Sequence, residues 1–285
     1  MTTASTQLIR VGHSPDPDDA FMFYALAKEK IPMQGFRVEH VIEDIETLNQ
    51  RALLAELEVT AVSCHAYAYL SDNYLVMRSG ASVGDQYGPI LVSKKGTVPP
   101  KGGSPLIQGK KIAVPGKLTT AYLALQLYER DFEPVFIPFD KIFDAVLSGQ
   151  ADLGLVIHEG QITYEEKGLS NILDLGKWWH KKTGLPLPLG VDVIRRDLGN
   201  ETIQSFSRLF KASIEYALAH REEALEYALQ YGRGIRPKLG DQFVGMYVND
   251  YTVELGLRGE AGLRKLFEEG CSKGILPHPV QLDFV

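Results

Sequence analysis

The chain has 285 residues, with 30 Lys and Arg against 36 Asp and Glu, a formal net charge of −6. At 45% hydrophobic and 23% charged it is composed like a globular protein able to bury a sizeable core, as one large domain or two smaller ones, and no stretch approaches the roughly 18 apolar residues of a membrane span. The acidic balance argues against a nucleic-acid surface, and two cysteines, Cys64 and Cys271, are too few for a disulfide framework and lack metal-binding spacing, so both are expected as reduced, buried thiols.

The elements follow an alternating pattern. Residues 1–7 are short and polar and Arg10 interrupts the first apolar stretch, so neither the basic region nor the apolar core of a secretory signal is present and a cytoplasmic protein is expected. Residues 8–12 read as a buried strand. A helix over 18–30 follows, with Phe21, Tyr24, Ala25 and Lys28 at helical spacing. Residues 36–42 alternate as a strand, Asp44 is placed to cap a helix running to about residue 56, 59–62 form a third strand and 65–70 a short helix. A second block repeats the winding: strand 110–114, helix 119–130, strand 135–137, helix 140–147 stopped at Ser148-Gly149, and strand 153–157. The C-terminal third is helical, over 201–230 in one or two pieces and again over 263–273.

Apolar, strand-like segments near 90–93 and 189–194 bracket the second block, the first followed by a Gly-, Pro- and Lys-rich loop over 94–103. This pattern predicts an α/β protein of two lobes joined by a double crossover: residues 1–92 with 191–285 as the larger lobe, 93–190 as an inserted smaller one, and a ligand cleft between them. A single continuous α/β sheet would give much the same periodicity.

Chemistry-bearing residues cluster at predicted strand ends. His13-Ser14-Pro15-Asp16-Pro17-Asp18-Asp19 joins the first strand to the first helix; the acids suit helix capping better than metal binding, and Ser14 is the contact candidate. Ser63-Cys64-His65 ends the third strand, where neighbouring side chains diverge, so a Cys–His nucleophile pair is disfavoured and Ser63 is the expected hydrogen-bond donor. Pro115-Gly116-Lys117-Leu118-Thr119-Thr120-Ala121 is a strand–loop–helix junction whose free N–H groups and two hydroxyls suit an anion, the plain alternative being a capping threonine. His158, in His158-Glu159-Gly160-Gln161 after an apolar strand, has the intrinsic basicity for proton abstraction near neutrality. His13, His40, His65, His180, His220 and His278 have weaker context. Trp178-Trp179 and Tyr87-Gly88-Pro89 fit either cleft or packing roles.

Taken together, Ser14-Pro15-Asp16-Pro17-Asp18-Asp19-Ala20-Phe21-Met22-Phe23, Gly88-Pro89-Ile90-Leu91-Val92 and His158-Glu159-Gly160-Gln161 resemble the 1,4-dihydroxy-6-naphthoate synthase family of the futalosine route to menaquinone, along nearly the whole chain. The resemblance implies the fold of type 2 periplasmic solute-binding proteins. It implies a lyase that converts cyclic dehypoxanthine futalosine to 1,4-dihydroxy-6-naphthoate with release of a three-carbon fragment, using no metal and no organic cofactor. It also implies His158 as general base, with Asn49, Ser63, Thr120 and Ala121 contacting a carboxylate substrate. Asn49 is otherwise read as a plain helix residue. Two rival readings stay open: a solute-binding protein of a transporter, and the chorismate dehydratase of the same pathway.

Overall fold

The structure, a computed structural model, describes residues 6–96, 107–231 and 235–285. Most of the loop predicted over 94–103 therefore lies outside the described residues.

The chain opens with β1 (Gln7–His13), α1 (Pro17–Met22), α2 (Tyr24–Ala27), β2 (Phe36–Ile42), α3 (Ile45–Leu53), β3 (Val59–Ser63), α4 (Cys64–Tyr67), β4 (Tyr74–Val76) and β5 (Ser82–Gly84). It continues through β6 (Ile90–Lys94), β7 (Lys110–Val114), α5 (Thr120–Tyr128), β8 (Phe132–Phe136), α6 (Ile142–Ser148), β9 (Leu153–Val156), α7 (Gly160–Thr163), β10 (Leu169–Asp174) and α8 (Leu175–Thr183). It closes with β11 (Leu187–Arg195), α9 (Asn200–Ala219), α10 (Arg221–Leu229), α11 (Pro237–Tyr247), α12 (Asp250–Val253) and α13 (Gly256–Ser272).

Two sheets organise these elements. The first runs β2-β1-β3-β11-β4, with β5 also on β11; the second runs β10-β6-β9-β7-β8. β1 pairs in parallel with β2 and β3, and β7 in parallel with β8 and β9, as βα winding requires. β11 and β6 run antiparallel to their neighbours, because each is a returning strand and not part of a winding unit. The chain passes from the first sheet to the second between β5 and β6 and returns between β10 and β11. The fold is thus a mixed α/β architecture of two sheets that the chain joins by two crossings.

The strands that face helices on both sides carry continuous apolar runs: all of β3 and β9 is buried. Asp44 caps α3 as its position implies, accepting from the N–H groups of Glu46 and Thr47 at 3.1 Å. Gly149, at φ 86°, ends α6 in the left-handed conformation that a side chain resists. One apolar cluster joins both sheets, with Val62, Val191 and Val193 on one side and Val114, Leu153 and Leu155 on the other. A second packs α1 and α2 against α9 and β1.

Several expectations change. The helix expected over 18–30 is two short helices, broken at Phe23, whose ring turns inward to stack between His13 and Phe210, 4.7 Å from each. The strand expected at 135–137 begins at Phe132; Pro134 hid it, and Pro is tolerated because β8 is an edge strand. The segment 201–230, open between one helix and two, is two helices parted at His220. β4, β5, β10, α8, α11 and α12 were not foreseen; the first two are three-residue strands with no readable alternation.

Candidate functional site

A cavity of about 100 Å³ opens between the two sheets, at the C-terminal ends of β1, β3 and β9. That is where βα winding places ligand sites. Ser14, Ser63, the start of α5 and the stretch 189–192 of β11 all line it.

Ser63 is held by Asn49. The fully buried Asn49 amide accepts the Ser63 N–H at 2.9 Å and donates to Ser63 Oγ at 3.1 Å. Asn49 does not itself line the cavity; it fixes the serine that does. Ser14 Oγ accepts the Asp16 N–H at 3.1 Å, and the Ser14 N–H donates to Asp19 Oδ2 at 2.8 Å.

The two threonine hydroxyls expected to face an anion are already engaged. Thr119 is the N-cap of α5: its Oγ1 accepts from the Tyr122 N–H at 3.3 Å and donates to the Gly116 carbonyl at 3.0 Å. Thr120 Oγ1 donates to the Leu189 carbonyl and accepts the His65 N–H at 3.2 Å, bridging the two walls of the cavity. The backbone N–H groups of Thr120 and Ala121 are left for an anion, in the first turn of a nine-residue helix where intrahelical acceptors are lacking.

The opposite wall is acidic. Asp18, Asp19 and Asp192 are buried and line the cavity with Asp16. Burial pushes Asp19 up to about 6. Burial and the Asp19 and Asp16 charges hold Asp18 well above the usual carboxylate range, and burial with the Asp19 charge does the same for Asp192. These acids are not side-chain caps. α1 begins at Pro17 with Asp16 as N-cap and no side-chain cap bond, which corrects the capping expectation. Proline at the first helical position costs no hydrogen bond, and the next two acids fall in the first turn and line the cavity.

His158 lies elsewhere. Ile157 faces the cavity, and His158, the next residue, turns into a neighbouring hollow beside Phe139 and Phe143. Its Nδ1 accepts the Gly160 N–H at 2.9 Å, so the proton is on Nε2, which donates to the Phe139 carbonyl at 3.0 Å. Glu159 stands 3.6 Å from Nδ1. Gly160 is required here, since a Cβ would lie 2.8 Å from His158 Cε1. Gln161 accepts from the Tyr247 hydroxyl at 2.7 Å, tying this motif to α11.

Cys64 is fully buried and burial pushes its thiol up to about 12, so it is no nucleophile. Both cysteines are free thiols, as expected, although Cys271 is half-buried and not fully so. Trp179 is a packing residue whose Nε1 donates to the Pro186 carbonyl at 3.0 Å. Asp192 was missed. Its one signal in the sequence is a lone acid inside the apolar run 187–194.

A family model described as menaquinone biosynthesis matches residues 9–271. The 1,4-dihydroxy-6-naphthoate synthase of Thermus thermophilus is 39% identical over 269 residues, 94% of this chain and 96% of that protein. The protein of the same name from Streptomyces coelicolor is 32% identical over 279 residues, 96% of each chain. Among solved structures, a protein of Archaeoglobus fulgidus is 49% identical with a TM-score of 0.89, covering 96% of this chain and all of that one. The alkanesulfonate-binding protein of Xanthomonas axonopodis shares the fold alone, at 13% identity and a TM-score of 0.68, with 97% and 96% of the two chains covered.

Proposed function

The chain belongs to the menaquinone biosynthesis family, and from that premise we propose that it is a carbon–carbon lyase forming 1,4-dihydroxy-6-naphthoate from cyclic dehypoxanthine futalosine. One observation carries the reading into the structure. The cavity pairs the open N-terminal turn of a helix with buried carboxyl groups, so it can hold a carboxylate at one end and an oxygen-rich ring at the other.

In this reading the substrate carboxylate rests on the Thr120 and Ala121 N–H groups and Ser63, oriented by Asn49, donates to a substrate oxygen. Ser14 borders the same space. His158 removes the proton whose loss starts cleavage, and formation of an aromatic product drives the reaction. For this the imidazole has to give up the Gly160 N–H and turn toward the cleft, since in the present geometry that bond occupies the only basic lone pair. No helix among the described residues is long and apolar enough to cross a membrane, which accords with a cytoplasmic site of action. In this reading residues 1–92 with 191–285 form one lobe and 93–190 the other, with the first crossing nearer 85–89 because β6 belongs to the second sheet.

Purified protein incubated with cyclic dehypoxanthine futalosine is expected to yield dihydroxynaphthoate by mass spectrometry. Lack of product under conditions where a known synthase is active would defeat the proposal, and specific uptake of an unreacted solute would point to a binding protein. Thr120→Val removes the bridge between Leu189 and His65 beside the anion site. It is expected to raise KM about tenfold, equivalent to about 1.4 kcal/mol, with kcat little changed. Steady-state kinetics check this, and an unchanged KM would show that the Thr120 hydroxyl bridge is not needed to hold the start of α5 in place for the substrate.

A further inference from the structure

Asp192 lies on β11 opposite Ala61 of β3, is 1% exposed, and lines the cavity. Its Oδ1 is buried without a hydrogen-bond partner among the described residues. The fold makes room for this group: at Gly80, φ 96°, a Cβ would overlap Asp192 Oδ2. Among the described residues no Lys, Arg or His lines the cavity, and the other titratable groups on its walls, Asp16, Asp18 and Asp19, are all acids. A buried carboxylate with no cation and no donor is costly, whereas the acid form keeps an O–H to donate. Burial and the Asp19 charge indeed hold the carboxyl well above the usual range. A buried, unsatisfied polar group weakens a fold, so one aimed into a ligand cavity is better explained by what binds there.

We propose that Asp192 is a catalytic residue of this site: its carboxyl O–H donates a hydrogen bond to the substrate oxygen that gathers negative charge when the adjacent carbon loses its proton. The proposal rests on the lyase reading above. The proton stays on Asp192; the bond strengthens as charge develops and so acts on the transition state more than on the bound substrate.

Asp192→Asn keeps a neutral donor of the same shape, and Asp192→Ala removes it. The Asn variant is expected within tenfold of wild-type kcat. The Ala variant should lose about 10²–10³-fold in kcat, the usual effect of deleting one such donor. Its Tm should be equal or higher, since an unpartnered polar group has gone. An Ala variant with lower Tm and normal kcat would make the residue structural, and an Asn variant as slow as Ala would show that an ionised Asp192 is needed; either result overturns the assignment. Infrared difference spectra of wild type against Asp192→Asn at neutral pH supply a readout that does not depend on turnover. A protonated-carboxyl carbonyl band is expected, shifting when 1,4-dihydroxy-6-naphthoate is added, and absence of the band overturns the assignment of Asp192. Absence of wild-type turnover instead overturns the reaction itself, and with it the role given to Asp192.

Discussion

His158→Ala lowers kcat by about 10²–10⁴-fold, the usual worth of a positioned general base, while affinity for dihydroxynaphthoate changes little. The expectation follows from what the imidazole does in each state. At rest it is a neutral ring with both nitrogens bonded to backbone, packed edge-on to Phe139 with centroids 5.3 Å apart. In the proposed reaction the ring turns, accepts a proton and becomes an imidazolium, which the Glu159 carboxylate, 3.6 Å away at rest, is placed to stabilise. The start of α5 and Ser63 are on other elements, so truncating the ring leaves them in place. Turnover, product binding by titration and Tm separate these effects. Turnover close to wild type would remove His158 from the chemistry. A fall in kcat that only tracks a fall in Tm would make it a packing residue.

Gly176→Ala is expected to destabilise the whole protein by about 3 kcal/mol, at the upper end of overpacking. Gly176 is the second residue of α8, where the helix backbone lies directly on residues 87 and 88 as the chain crosses between sheets, and the Leu175 N–H donates to the Pro89 carbonyl at 2.9 Å. A Cβ would overlap the Tyr87 carbonyl, which is backbone and cannot swing aside as a side-chain tip can. With roughly 2–4 °C per kcal/mol for a protein somewhat smaller than this one, a Tm drop of several degrees follows, readable by calorimetry. Because Pro89 lines the cavity, KM should rise as well. A variant as stable as wild type would mean the crossing strand is free to move away from α8.

The winding was legible because buried parallel strands appear as short apolar runs between turn residues, as in β3 and β9. Strand ends then located Ser14, Ser63 and the start of α5 by position alone. Other features depend on partners distant in the chain. Asn49 reads as an ordinary helical residue because its partner, Ser63, is 14 positions on. The threonine hydroxyls read as free donors because the Leu189 carbonyl that takes one of them is 69 residues away. Just past β9 the difference is a single residue: Ile157 faces the cavity while His158 packs against Phe139. Asp192 reads as a polar interruption of a strand until the fold places it on a cavity wall where no described cation stands.

The cavity is small beside the ~300–1,000 Å³ usual for ligand sites, and its walls are pinned across the gap by the Thr120–Leu189 and His65–Thr120 bonds, by Glu46 on the Leu118 N–H at 3.1 Å, and by Tyr247 on Gln161. Room for a two-ring substrate comes from parting these bonds and the apolar surface that the two sheets share. In the proposed reaction, throughput is then capped by how often this seam opens.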